Sequence, residues 1–195
     1  MALRGVRMSQ SVQALSRLDP GRLGAGMSSR VRTGACAAAG VAAALVVAHF
    51  GFSERALVGV FFVSALAVLA AIDIERRILP NRIVMPAFAV VLVMQLALFP
   101  DHAIEWIAAS LATALVLLIA ALAKPGGLGY GDVKLGLLLG AGLGENVAVA
   151  LTVAVFAIWP VAVYLYATHG RAAGRMALPF GPFLAVGAVV ALLAS

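Results

Sequence analysis

The sequence predicts an all-α fold: a polytopic transmembrane helical bundle of about seven spans, one of them short and glycine-rich, with its N-terminus in the cytoplasm. Three observations carry that prediction. Apolar types make up 64% of the 195 residues and charged types only 11%, against roughly 45–50% and about 25% in a soluble domain. The mean hydropathy is +1.08, and the apolar stretches run continuously for about 20 residues, enough to cross a hydrocarbon core of about 30 Å. They do not alternate as barrel strands do, and unpaired backbone in lipid leaves the helix as the remaining solution. Fourteen basic residues face eight acidic ones, and their uneven placement fits membrane topology. A soluble enzyme, a disordered chain and a nucleic-acid-binding domain are excluded as descriptions of the whole. The pI of about 10.5 therefore requires no nucleic-acid partner. Cys36 is the single cysteine, which excludes a disulfide framework and a four-cysteine zinc site.

Residues 1–33 differ in kind from the rest. They hold six arginines (Arg4, Arg7, Arg17, Arg22, Arg30, Arg32) and one acid, Asp19, among scattered Gly and Ser. No small-residue cleavage site of a secretory signal follows, and the segment reads as a flexible basic cytoplasmic tail lying on anionic lipid. Residues 34–195 form the membrane-embedded domain. Its spans are expected at Gly34–Gly51, Ala56–Ile72, Ile83–Phe99, Ile104–Ala123, Val147–Thr168 and Pro179–Ala194, with the short one at Val133–Leu143.

Counting basic residues tests this topology. With the N-terminus inside, the inner segments hold the tail arginines together with Arg76, Arg77, Arg82, Lys124, Lys134, Arg171 and Arg175. Only Arg55 falls outside, the asymmetry of the positive-inside rule. Omitting the short span would move Arg171 and Arg175 outside, so the count favours seven. Among the acids, Glu54, Asp101, Glu105 and Glu145 fall on outer loops as solvated charge, and Asp73, Glu75 and Asp132 fall at inner helix ends.

Asp73 closes the second span, flanked by Ile72 and Ile74 and followed by Arg76 and Arg77; Pro80 and Asn81 then favour a turn. It marks the membrane edge or does chemistry there. Asp132 follows four glycines in six residues, Gly126 to Gly131, and opens an apolar helix. It is a helix N-cap or, again, a reactive group. A phosphate-binding loop is a poor alternative, because no Gly-Lys-Ser/Thr and no preceding strand are present.

The two aspartates say more together. They lie 59 residues apart with one helical hairpin between them, so the chain returns to the side it left. Two carboxyls brought together cannot both ionise, and one keeps its proton while the other is charged. That pair suits acid–base hydrolysis of a peptide bond, the carboxylate activating water and the acid polarising the carbonyl. Helix ends favour Asp132 as the carboxylate and Asp73 as the acid. Lys134 reinforces that assignment or anchors at the interface, and Glu75 helps attract a basic segment or pairs with the arginines beside it.

At these residues the sequence resembles a known family. Gly129-Tyr130-Gly131-Asp132-Val133-Lys134-Leu135 matches the G-x-G-D motif of membrane-embedded aspartic proteases. Ala71-Ile72-Asp73 with Ile78-Leu79-Pro80-Asn81 resembles the first-aspartate motif of type IV prepilin peptidases, and Leu178-Pro179-Phe180-Gly181-Pro182-Phe183 resembles their C-terminal motif. The resemblance runs from about Leu57 to Ser195. It implies an intramembrane aspartic endopeptidase with Asp73 and Asp132 catalytic, removing a short basic leader from a prepilin or pseudopilin at the cytoplasmic face of the inner membrane. Longer family members carry an N-terminal domain with paired Cys-x-x-Cys motifs that accompanies N-methylation; the solitary Cys36 leads us to expect the peptidase without the methyltransferase.

Smaller roles remain two-sided. Gly129 and Gly131 shape the loop presenting Asp132 or are ordinary turn glycines. Pro179, Phe180, Gly181 and Pro182 expose backbone to a substrate or merely start a helix. Pro160 kinks its span. His49, His102 and His169 share no face or ligand spacing, so no metal and no cofactor are expected; Trp106 and Trp159 read as interfacial or packing aromatics. The alternative function is a small proton-coupled transporter or an assembly subunit of a pilus or secretion system. A transporter needs acids near mid-membrane, and no span here carries one.

Overall fold

The computed structural model describes residues 28–123, 128–170 and 179–195. Among them are seven α-helices and no strand: α1 (Ser29–Phe50), α2 (Glu54–Arg76), α3 (Asn81–Leu98), α4 (Ala103–Ala123), α5 (Tyr130–Leu143), α6 (Val147–His169) and α7 (Gly181–Leu193). Short 3-10 turns at Pro100–His102 and Gly144–Asn146 lead into α4 and α6. The helical membrane bundle predicted from hydropathy is the observed architecture.

Local chemistry sets the helix ends. Ser53, in extended backbone, caps α2 by accepting from Ala56 N–H at 3.2 Å. Arg77 stops α2 in the left-handed region (φ 53°), its N–H reaching back to the Asp73 carbonyl at 2.8 Å. Pro80, whose fixed φ favours extended backbone here (ψ 122°), precedes α3. α1 begins at Ser29, ahead of the expected Gly34, because Ser28 caps it through Val31 N–H at 3.4 Å. Arg30 and Arg32 are thus helical, and the remainder of the basic tail lies outside the described residues. α6 continues through Pro160 without interruption.

Side-chain neighbours give each helix its direction. Gly140 abuts Ala109 and Ser110, and Gly136 abuts Ala114 and Leu117, so α5 runs antiparallel to α4. Gly181 meets Asp73 and Gly59 meets Leu192, so α7 runs antiparallel to α2. Asn146 at the start of α6 shares a cavity with Phe50, Phe99 and Leu192 at the ends of α1, α3 and α7. The seven helices therefore alternate. One end of the bundle carries the start of α1, the α2–α3 turn and the starts of α5 and α7; the other carries the α1–α2, α3–α4 and α5–α6 turns.

Five apolar helical stretches are long enough to cross a membrane. One of them, Tyr130–His169, contains α5, the 3-10 turn and α6, which the neighbours above assign opposite directions. α5 has 14 residues, about 21 Å at ~1.5 Å per residue, and sits at the centre. Leu135, Leu138, Leu139 and Ala141 are fully enclosed, packed with Phe62, Leu66 and Leu69 of α2 and Leu184 of α7. α4 turns Ile104, Leu111, Leu115 and Ile119 outward, and α6 Phe156 and Trp159, an apolar exterior suited to lipid.

Because lipid tails are as apolar as leucine, helix association rests on close packing, which small residues permit. A Cβ on Gly140 would meet the backbone of Ala109 and Ser110 in α4, whereas one on Gly34 would meet nothing. Gly140→Ala should destabilise the detergent-purified protein by about 1–3 kcal/mol through overpacking. Gly34→Ala should leave the unfolding midpoint unchanged or raise it, with up to ~1 kcal/mol from helix propensity. Thermal unfolding of both variants checks the pair.

Candidate active site

Asp73 and Asp132 sit at the same end of the bundle. Asp73, in the last turn of α2, is 6% exposed, and Asp132, in the first turn of α5, is 9% exposed. Gly131, beside Asp132, packs on Leu79 of the turn that follows Asp73, so both carboxyls belong to one end of the bundle. A buried carboxyl needs partners, and here backbone amides supply them. Gly181 N–H, at the start of α7, donates to Asp73 Oδ2 at 2.9 Å. Gly129 N–H, at the N-cap of α5, donates to Asp132 Oδ2 at 3.1 Å.

Asp132 is not the N-cap itself. α5 begins at Tyr130, so Asp132 occupies the third helical position and folds its carboxyl back onto the cap residue. Asp73 has gained a helix N-terminus of its own, that of α7. The helix-end argument that separated the two aspartates by charge therefore does not distinguish them: each receives one N–H from a helix start. Only sequence-distant contact could reveal this, since Gly181 is 108 residues from Asp73.

The remaining candidate residues surround this pair. Gly131 is helical, and a Cβ there would lie 2.9 Å from Leu79 Cβ. The missing side chain lets buried Leu79 of the α2–α3 turn pack beside Asp132. Lys134 Nζ donates to Asn81 Oδ1 at 2.8 Å, joining the starts of α5 and α3. Phe180 is the half-buried N-cap of α7, preceded by Pro179, and Pro182 stands within its first turn. Glu75 Oε1 accepts from Ser28 N–H at 3.0 Å and so braces α1. Leu178, Lys124 and residues 125–127 lie outside the described residues. The histidines do not gather at the aspartates: His49 ends α1 at the far end of the bundle, His102 precedes α4 there, and His169 ends α6.

Comparison with known proteins decides what this arrangement belongs to. The model of the type IV leader peptidase family matches residues 60–167, which include both aspartates. The chain belongs to that family. It is 33% identical over 151 residues to a prepilin leader peptidase/N-methyltransferase of Bacillus subtilis, covering 74% of this chain and 58% of the relative. To the protein of the same name from Burkholderia pseudomallei it is 37% identical over 161 residues, covering 80% and 52%. The Pseudomonas putida counterpart is 33% identical over 157 residues, covering 76% and 54%. The chain thus spans little more than half the length of the curated relatives it matches. No solved structure matches it.

Within this leader-peptidase framework, the contact between Leu79 and Gly131 makes a quantitative test. Gly131→Ala should cost about 1–3 kcal/mol by forcing Cβ against Cβ. In a Leu79→Gly background, which removes the opposing Cβ, the penalty should shrink. A double-mutant cycle on unfolding free energies should give a coupling of about 0.5 kcal/mol or more.

Proposed function

We propose that this chain is an intramembrane aspartic endopeptidase that removes the leader of a type IV prepilin or pseudopilin at the cytoplasmic face of the membrane. The observation that carries the reading is the pair of buried carboxyls, Asp73 and Asp132, each held through one oxygen by a backbone N–H. The second oxygen of each makes no hydrogen bond with a described residue and is available for water or substrate.

In this mechanism one aspartate is ionised and takes a proton from water as the water oxygen attacks the scissile carbonyl carbon. The other, protonated, donates a hydrogen bond and then its proton to the carbonyl oxygen. The tetrahedral intermediate collapses as the peptide nitrogen takes a proton and leaves as the amine. The two groups exchange roles over the cycle, so the pair titrates as a unit. Gly181 and Gly129 fix the carboxyls, and the contact between Gly131 and Leu79 packs the start of α5 against the α2–α3 turn.

The distribution of charge supports the cytoplasmic side. Among the described residues the aspartate end carries Arg30, Arg32, Arg76, Arg77, Arg82 and Lys134, and the opposite end carries only Arg55 of the arginines and lysines. The names of the relatives support the substrate class. A transporter would need an acid at mid-depth; the described helices place every acid in their terminal turns or in the connecting turns.

The test is a mobility-shift cleavage assay in membranes with a co-expressed prepilin. Asp73→Asn and Asp132→Asn should each reduce leader removal by about 10²–10⁴-fold at equal expression. Gly181→Ala, whose Cβ would stand 2.9 Å from Asp73 Oδ2, should lose about ten- to a hundred-fold by misplacing the carboxyl. Cleavage at the wild-type rate in either Asn variant would overturn the dyad.

A further inference from the structure

At the end of the bundle opposite the aspartates lies a cavity of about 270 Å³. Its wall is mixed in character. Gln95, on α3, is 5% exposed and lines the cavity, yet its side chain makes no hydrogen bond with a described residue. Trp106 Nε1, on α4, is a buried donor in the same wall with no partner among the described residues, and a buried donor left without a partner is costly. Arg55, at the start of α2, also lines the cavity and makes no ion pair or hydrogen bond with a described residue.

The opposite charge is present as well. Glu105 of α4 lines the same cavity and is not paired with Arg55. Its Oε2 meets His102 Nδ1 at 3.1 Å and its Oε1 accepts from Glu145 N–H at 3.3 Å. A carboxylate has about four acceptor sites, so capacity for a further donor remains. Phe50, Phe99 and Trp106 also line the cavity, as does His102, the partner of Glu105, and aromatic faces attract ammonium groups.

A guanidinium, an amide and an indole N–H without partners among the described residues share this cavity with a carboxylate and aromatic rings, and together they suit a ligand carrying both signs. A bare phosphate or a simple cation would satisfy one half and be repelled by the other. The cavity sits at the ends of α1, α3 and α7, and the neighbouring α1–α2 turn and α4 expose Phe52 fully and Ile104 largely. We propose that this cavity binds an ammonium–phosphodiester zwitterion, the headgroup of an ethanolamine phospholipid or its water-soluble counterpart. The phosphodiester lies against Arg55 and the Gln95 amide N–H, and the ammonium lies against Glu105 and the aromatic rings. The site is remote from Asp73 and Asp132 and is independent of the reaction proposed for them.

The experiment titrates the detergent-purified chain with phosphatidylethanolamine, phosphatidylglycerol or glycerophosphoethanolamine and follows the thermal unfolding midpoint. The zwitterionic lipid should raise the midpoint saturably, and the anionic lipid should do so at about tenfold higher concentration or not at all. Arg55→Gln, an exposed position with no protein partner, should weaken the response about tenfold without changing the midpoint in lipid-free detergent. Glu105→Gln should abolish the preference between the two lipids. A response to glycerophosphoethanolamine alone would assign the site to a free solute, and its absence would assign it to lipid; either keeps the site. Equal, measurable responses to the two lipids in the wild type, no response to any of the three ligands, or an unaltered response in Arg55→Gln, would overturn it.

Discussion

The hydrogen bond from Gly181 N–H to Asp73 Oδ2 joins the start of the last helix to the end of the second across 108 residues, in a buried setting. Much of the site depends on it. A carboxyl at this depth without a donor would be strongly unfavourable, and here a helix start supplies one without a competing side chain. The partner must be glycine, because a Cβ would press on the oxygen it serves. Gly129 N–H serves Asp132 likewise, although a Cβ there would stand 3.4 Å from the oxygen and would not press on it. Two helix starts, α5 and α7, are thereby aimed at one point beside the end of α2, which requires the alternation of all seven helices to hold.

That alternation explains why α5 is built as it is. A 14-residue helix wedged between α2, α3, α4 and α7 has little room for side chains. Gly136 and Gly140 let it touch the backbone of α4, and Gly142 lies under the Phe62 ring. The apolar remainder, Leu135, Leu138 and Leu139, fills the core. Rigid packing along this helix holds Asp132 at one end while its other end forms part of the wall of the opposite cavity through Gly142 and Leu143. The two ends differ in charge: basic residues flank the aspartates, and Glu54, Asp101, Glu105 and Glu145 lie at the other end.

The architecture was largely legible in the sequence because hydropathy and basic-residue placement are one-dimensional signals. Long apolar runs locate the helices, and the arginine count favoured the short glycine-rich span that occupies the centre. The candidate aspartates and the glycines beside them stood out through motif spacing. What the sequence could not carry were the cross-chain contacts. Gly181 in a Pro-Phe-Gly-Pro stretch reads equally well as a plain helix start, and only its neighbour Asp73 gives it a role. Asp132 looked like a cap because the glycines before it suggested a loop, but Tyr130 and Gly131 are already helical. Lys134 bonds to Asn81 and Glu75 to Ser28, pairings that no local pattern announces. Gln95 is a single polar residue in an apolar span, and its place in the cavity wall depends on the packing of distant helices.

The central claim is that Asp73 and Asp132 lie together at one end of the bundle. Its most direct test replaces Cys36 with Ser and introduces Asp73→Cys with Asp132→Cys. A short bis-maleimide applied to membranes, followed by intact-mass analysis, then reads proximity independently of any substrate. The account predicts one intramolecular bridge per chain, and none in the control pair Asp73→Cys with Glu105→Cys, whose positions lie at opposite ends. Two separate modifications without a bridge in the first pair, or bridging in the control, would contradict it.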